Sequence, residues 1–197
     1  MLPVFLLSVW WRLILTHPHS PRIITKPTPK PTMATTPRPL FVYGNLCAPE
    51  LLAMLLRESD ETAPDVDKIL PMLQPATVKG YERRSLYFGS GYTQHPAAIA
   101  SKDPNASIQG CLLTPATTSQ RRKLDNFESE GEAYKCVPVQ VHIATDQSVA
   151  ADMYLWNGPM EKISPDPWDF ASFVKNGLQD FFLNVFEGME FGGEDDQ

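Results

Sequence analysis

Apolar residues change their spacing several times along this chain, and each change marks an element. Pro39-Leu40-Phe41-Val42-Tyr43 is a short β-prone run that stops at Gly44, where the backbone can take conformations other residues resist. Pro49 then opens a segment with Leu51, Leu52, Leu55 and Leu56 on one stripe, which predicts a short helix. The polar stretch 58–68 reads as loop. Strands are expected over 75–81, 96–100 and 107–113, the last with Ile108, Gly110 and Leu112 alternating with Gln109, Cys111 and Leu113. Thr117 with Gln120 three positions on makes a capping box, and Arg121 with Asp125 an i,i+4 pair, so a helix should run over 116–127.

Two longer alternating runs follow. Val137, Val139, Val141 and Ile143 share one face of 133–145, and Val149, Ala151, Met153 and Leu155 share one face of 148–156, with a hairpin expected at Asp146-Gln147. Asp166 before Pro167 reads as the start of a last helix carrying Trp168, Phe173, Val174, Leu178, Phe181, Phe182, Val185 and Phe186 at helical spacing. The order strand, helix, strands, helix, hairpin, helix predicts an α+β fold whose mostly antiparallel sheet closes toward a small barrel. Three parts are expected: a leader over 1–38, one domain over 39–186 and an acidic tail over 187–197.

Charge and composition narrow the function. A formal net charge of -6 leaves no basic footprint for nucleic acid. Cys47, Cys111 and Cys136 are odd in number and widely spaced, which argues against a disulfide framework or paired zinc ligands and fits a reducing compartment, hence a cytoplasmic location. The apolar start Leu2–Thr16 is shorter than the ~20 residues a spanning helix needs. No basic residue precedes it, as a signal peptide would require, although secretion or organelle targeting stays open. The Pro- and Thr-rich stretch after it reads as disordered, and translation starting at Met33 would remove it.

Two places carry candidate chemistry. The turn Tyr43-Gly44-Asn45-Leu46 runs from strand to helix and turns backbone N–H groups toward one spot, suited to a carboxylate or an oxyanion; an ordinary connecting turn is the bland alternative. Glu128 lies four residues after Leu124, so its carboxyl follows the buried stripe to the helix end. Burial and the helix dipole both disfavour its charged form there, raising its pKa toward the range of a general acid/base; a frayed, exposed end is the alternative. Cys47 lacks a base at a telling spacing and reads as a small buried residue, His142 as a polar strand residue, and four scattered histidines as no metal site.

Leu40-Phe41-Val42-Tyr43-Gly44-Asn45-Leu46, His95-Pro96-Ala97, Gly110, Leu124-Asp125-Asn126-Phe127-Glu128, Tyr134 and Ala151-Asp152-Met153-Tyr154-Leu155-Trp156, taken in order, resemble the gamma-glutamylcyclotransferase-like family, in particular its avirulence-induced-gene branch. The resemblance spans about two thirds of the chain. It implies a barrel of five or six strands with flanking helices, and release of 5-oxoproline from a small gamma-glutamyl amine or peptide. It also implies Glu128 as acid/base, backbone N–H groups of Gly44, Asn45 and Leu46 on substrate oxygens, Tyr43 lining the pocket, and Tyr134 hydrogen-bonded to the Glu or the substrate. No cofactor or metal is implied, because ring closure is intramolecular. Asn45 stands where this branch usually has Thr, and Ser129 where it has Gly; Glu130, four residues before Tyr134, rivals Glu128. The altered loop also leaves a non-catalytic binding module with the same pocket as the alternative, and residues 89–94 as the expected neighbours of the leaving group. Nothing in the sequence fixes the oligomeric state.

Overall fold

The computed structural model describes residues 36–87, 92–128, 133–144 and 147–186. The expectations for the leader, the acidic tail, Ser129, Glu130, the Asp146 turn and residues 89–91 of the 89–94 loop lie outside them.

Five strands form a closed barrel in the order β1 (Leu40–Val42), β5 (Ser107–Leu113), β2 (Leu73–Lys79), β6 (Tyr134–Ala144) and β7 (Gln147–Trp156). All pairs are antiparallel except β1 with β7, where Leu40 lies beside Asp152 and Phe41 beside Met153. Period-two alternation sends Phe41, Val78, Ile108, Val141 and Met153 into one buried cluster. Gly110 on β5 faces the crossing of β1: a Cβ there would lie 2.2 Å from the Val42 carbonyl oxygen, so the barrel closes only over a glycine.

A second sheet, β4 (Tyr92–Ala100), β3 (Tyr81–Tyr87) and β8 (Ile163–Pro167), packs beside the barrel. The sequence pattern assigns no strand to 82–87, because Glu82-Arg83-Arg84-Ser85 shows no alternation; the pairing with β4 from Tyr81–Ala100 onward supplies what the pattern lacks. Gly80, at φ +82°, makes the turn from β2 into β3.

The helices cover the other core. α1 (Pro49–Leu56) buries Leu51, Leu52 and Leu56, and α3 (Thr118–Phe127) buries Leu124 against them. The Thr117 hydroxyl accepts from the Gln120 N–H at 3.1 Å, and Gln120 reaches back to the Ala116 N–H at 2.8 Å. Two expectations change. The polar 58–68 stretch ends in a short helix, α2 (Val66–Ile69), capped by Asp65. Asp166 and Pro167 belong to β8, paired to β3, and the last helix starts later, where the Asp169 carboxylate accepts from the Ser172 N–H at 2.6 Å. From there α4 (Phe170–Ser172) continues through a π turn (Phe173–Gly177) into α5 (Leu178–Phe186).

Candidate active site

The first wall of the site is the turn after β1. Its own backbone bonds run from the Cys47 N–H to the Gly44 carbonyl at 2.8 Å and from the Ala48 N–H to the Asn45 carbonyl at 2.9 Å, so the N–H groups of Gly44, Asn45 and Leu46 take no part in them. Gly44 is required for closeness: its φ is -129°, and a Cβ would lie 2.3 Å from Pro96 Cγ on β4. The tight turn therefore rests on Pro96, and the conformational freedom expected of this glycine is not what the site uses.

Tyr43 holds the turn from below. Its hydroxyl donates to the Tyr154 carbonyl at 2.6 Å and accepts from the Ala98 N–H at 3.2 Å, which ties β1, β7 and β4 together. Burial, with the neighbouring Tyr134 and Glu128, keeps that hydroxyl neutral far above its usual range. From outside, Arg83 donates to the Tyr43 carbonyl at 2.6 Å while its guanidinium stacks 5.1 Å from the Trp168 ring. Arg83 was not singled out by sequence, since its strand was not; the signal would have been an arginine in a segment otherwise poor in core residues.

The opposite wall is the end of α3. Leu124 is fully buried and fixes the helix face. Arg121 bridges Asp125 at 2.9 Å and Asp152 of β7 at 3.0 Å, and the Tyr154 hydroxyl donates to the Asp125 carboxylate at 2.6 Å. Asp125, Asp152 and Tyr154 of the recurring motifs thus lock the helix to the barrel and leave Glu128 at its C-cap, where its N–H donates to the Leu124 carbonyl at 3.1 Å. Glu128 is half-buried as a residue because it borders the cleft, yet its carboxyl is desolvated, and burial pushes its pKa up to about 7.

The two walls meet. An inner cavity of about 20 Å³, room for one water-sized group, is bordered by Tyr43, Gly44, Asn45, Leu46, Glu128 and Tyr134 among others. A wider outer cavity of about 370 Å³ adjoins it through His95, Phe127, Glu128 and Tyr134 and extends over Leu86, Trp156, Pro159 and Lys162. All six residues singled out by sequence outside the undescribed segments therefore border one cleft. The Tyr134 hydroxyl donates to the Pro96 carbonyl at 2.9 Å, so its proton is given to the strand that supports Gly44; burial and the Glu128 charge hold it neutral. Phe181 of α5 meets His95 edge-on at 5.2 Å and Phe127 at 6.4 Å, and so packs against two residues that line both cavities.

Cys47 is buried, and its thiol lies 3.2 Å from the Val42 carbonyl; the adjacent Cys111 sulfur and burial push its pKa up, away from the thiolate a nucleophile needs. Among the described residues, no cluster of three or more His, Cys, Asp or Glu is placed to hold a metal. Also among them, no helix is long and apolar enough to cross a membrane.

A closed five-stranded barrel with a cleft between a glycine turn and a desolvated carboxyl defines a small-barrel domain with a buried acid at its site. Residues 40–170 match the family model described as gamma-glutamyl cyclotransferase, AIG2-like, and the chain belongs to that family. It is 26% identical to AIG2-like protein D of Arabidopsis thaliana over 154 residues, covering 77% of this chain and 88% of that protein. Two solved structures are similar: a solution structure from Arabidopsis thaliana, 20% identical with a TM-score of 0.48 over 81% of this chain and 95% of the other, and a gamma-glutamyl cyclotransferase, 14% identical with a TM-score of 0.46 over 81% and 92%.

Proposed function

We propose that the protein is a gamma-glutamylcyclotransferase that releases 5-oxoproline from a small gamma-glutamyl amine or peptide, with Glu128 as its acid/base. The observation that carries this reading is the Glu128 carboxyl, raised to about 7 by burial, on the wall shared by the inner and outer cavities.

The Glu128 carboxylate takes a proton from the substrate's α-ammonium group, and the freed amine attacks its own γ-carbonyl carbon. The new C–N bond closes a five-membered ring, and the negative oxygen that forms faces the N–H groups of Gly44, Asn45 and Leu46. Glu128, now protonated, gives that proton to the leaving nitrogen as the old C–N bond breaks, and its regenerated carboxylate takes the second proton from the ring nitrogen and passes it to the departing amine, which leaves protonated. The products are 5-oxoproline and a free amine. An unperturbed carboxyl near 4.3 facing an amine near 8 would leave the first transfer uphill by ~5 kcal/mol, whereas a carboxyl near 7 reduces it to about 1.4 kcal/mol. Since both reacting groups belong to one molecule, the enzyme's work is to fold the substrate and move a proton.

The outer cavity, with Trp156, Leu86 and Phe127 in its walls, takes the leaving side of the substrate, which sets an amine with some apolar surface as the best partner. A reducing, cytoplasmic setting accords with three free cysteines. The test is a screen of purified protein against gamma-glutamyl amines and peptides for 5-oxoproline release. Turnover that Glu128→Gln abolishes is the expected result; ligand-induced thermal stabilisation with no turnover by the folded protein would make it a binding module instead.

A further inference from the structure

Asn45 is 5% exposed, and both its side-chain oxygen and its nitrogen are sealed from solvent with no hydrogen-bond partner among the described residues. It borders the inner cavity together with Glu128. A buried amide carries one acceptor and two donors, and leaving all of them unmade is disfavoured unless the site is built for something that makes them. The surrounding turn does not force the side chain inward for packing, because the apolar work there falls to Leu46, which is buried at 2% exposure in the helical core.

From this we infer that the Asn45 side-chain amide is a substrate-positioning and specificity-determining group that reads the α-amino acid head of the ligand, Oδ1 accepting from the α-nitrogen and Nδ2 donating to the α-carboxylate. The inference rests on the reading of this cleft as a gamma-glutamyl site. The match is chemical. The α-carbon of a gamma-glutamyl compound carries a donor and an acceptor side by side, as the Asn amide carries an acceptor and a donor side by side. A trans γ-amide presents its own donor and acceptor on opposite sides and cannot engage both. The inner cavity, which Asn45 and Glu128 both border, fits the α-nitrogen; the α-carboxylate, on the same carbon, stays at its edge within reach of the same amide, and the γ-side of the substrate extends into the outer cavity, which Asn45 does not border. With its N–H bonds directed to Asn45 and its extra proton to Glu128, the nitrogen is left with its lone pair free for the γ-carbonyl.

The experiment uses two non-reacting probes, L-5-oxoproline and 2-pyrrolidinone, which differ only in the carboxylate, titrated calorimetrically into the full chain and into Asn45→Leu and Asn45→Asp. The lactam N–H and carboxylate of the first present the same donor and acceptor pair. Wild type should bind L-5-oxoproline about tenfold or more tightly than 2-pyrrolidinone, as loss of one hydrogen bond to a charged group predicts. Asn45→Leu should keep a thermal midpoint at least equal to wild type, because the orphaned amide is gone, and lose that preference. Asn45→Asp, of the same shape, should invert it, since its charge repels the carboxylate; it also serves if the leucine variant fails to fold. Equal affinity and preference in wild type and either folded variant overturns the inference, as does a wild type that binds both probes equally or not at all. If 5-oxoproline is released from gamma-glutamyl compounds while Asn45 proves indifferent, only this inference falls. Asn45-dependent binding without turnover of any gamma-glutamyl compound removes the catalytic reading and keeps this one.

Discussion

Arg83 on β3 donates a hydrogen bond from Nη1 to the carbonyl oxygen of Tyr43 at 2.6 Å, so the residue just before the glycine turn is held by a side chain 40 positions away. The same nitrogen also lies 3.3 Å from the Gln109 carbonyl on β5, and the flat face of the group covers Trp168. One guanidinium thus ties the second sheet, the barrel and the start of the C-terminal helix to the turn. Arg83→Lys should fail to replace it, because an ammonium is a point donor with no planar face for the indole. The expected cost is roughly 1.5–3 kcal/mol in urea unfolding, with a lower kcat for 5-oxoproline release. An unchanged midpoint and rate would mean the turn stands without this arginine.

Glu128 makes two pH predictions with opposite signs. For catalysis the carboxylate must be ionised to accept the ammonium proton, so kcat/KM should rise with pH through a midpoint near 7. For stability, the folded pKa of about 7 lies above the reference 4.5, so the folded state binds the proton more tightly than the unfolded one. Stability attributable to this group is greatest below pH 4.5 and is lost as pH rises through 7, up to about 3 kcal/mol. Glu128→Gln removes the ionisation, so its thermal midpoint should exceed that of wild type at pH 8 and approach it at pH 5, while turnover falls by about 10²–10⁴. A variant less stable than wild type at pH 8 would show that the carboxyl is solvated and unperturbed.

Gly44 offers a steric test. A methyl group there would meet Pro96 Cγ at 2.3 Å, a contact that rigid ring and backbone relieve only by moving the turn. Gly44→Ala should cost about 1–3 kcal/mol of stability and, if the proposed reaction holds, should lower kcat more than it raises KM, since in that reaction the displaced N–H groups face the developing oxyanion. Saturation kinetics with a single gamma-glutamyl substrate separate the two parameters. A variant with the wild-type rate would release the turn from its assigned part in the reaction.

What could be read from the chain and what could not differ in physical kind. Local patterns carried β5, whose bounds match the alternation from Ser107 to Leu113, and α1, whose Pro49 and leucine stripe needed no tertiary help. They failed at β3 and at Asp166-Pro167, where pairing between distant strands overrides weak or contrary local preference. In the cleft, the positions of Glu128 and the Tyr43 turn were legible because α3 carries its buried stripe to the one and β1 ends at the other, while the part each plays in a reaction stays a proposal. Arg83, the Tyr134 bond to Pro96 and the sealed amide of Asn45 were not, since each is a relation between elements whose approach no spacing along the chain encodes.

Tyr134 supplies the last test, because its hydroxyl has two conceivable acceptors and gives its proton to the Pro96 carbonyl at 2.9 Å. A donor aimed at the Glu128 carboxylate would favour the charged form and hold its pKa down, so its removal would raise the kinetic midpoint above 7. With the proton on Pro96 and burial as the cause of the Glu128 shift, Tyr134→Phe should leave the midpoint of the pH–rate profile where it is. The variant should still lose activity by another route. It leaves the buried Pro96 carbonyl without its Tyr134 partner, at a cost of about 1–3 kcal/mol, and Pro96 is the ring against which Gly44 rests. A lower plateau with an unmoved midpoint is therefore expected, and an upward displacement of the midpoint would reassign Tyr134 to the acid itself.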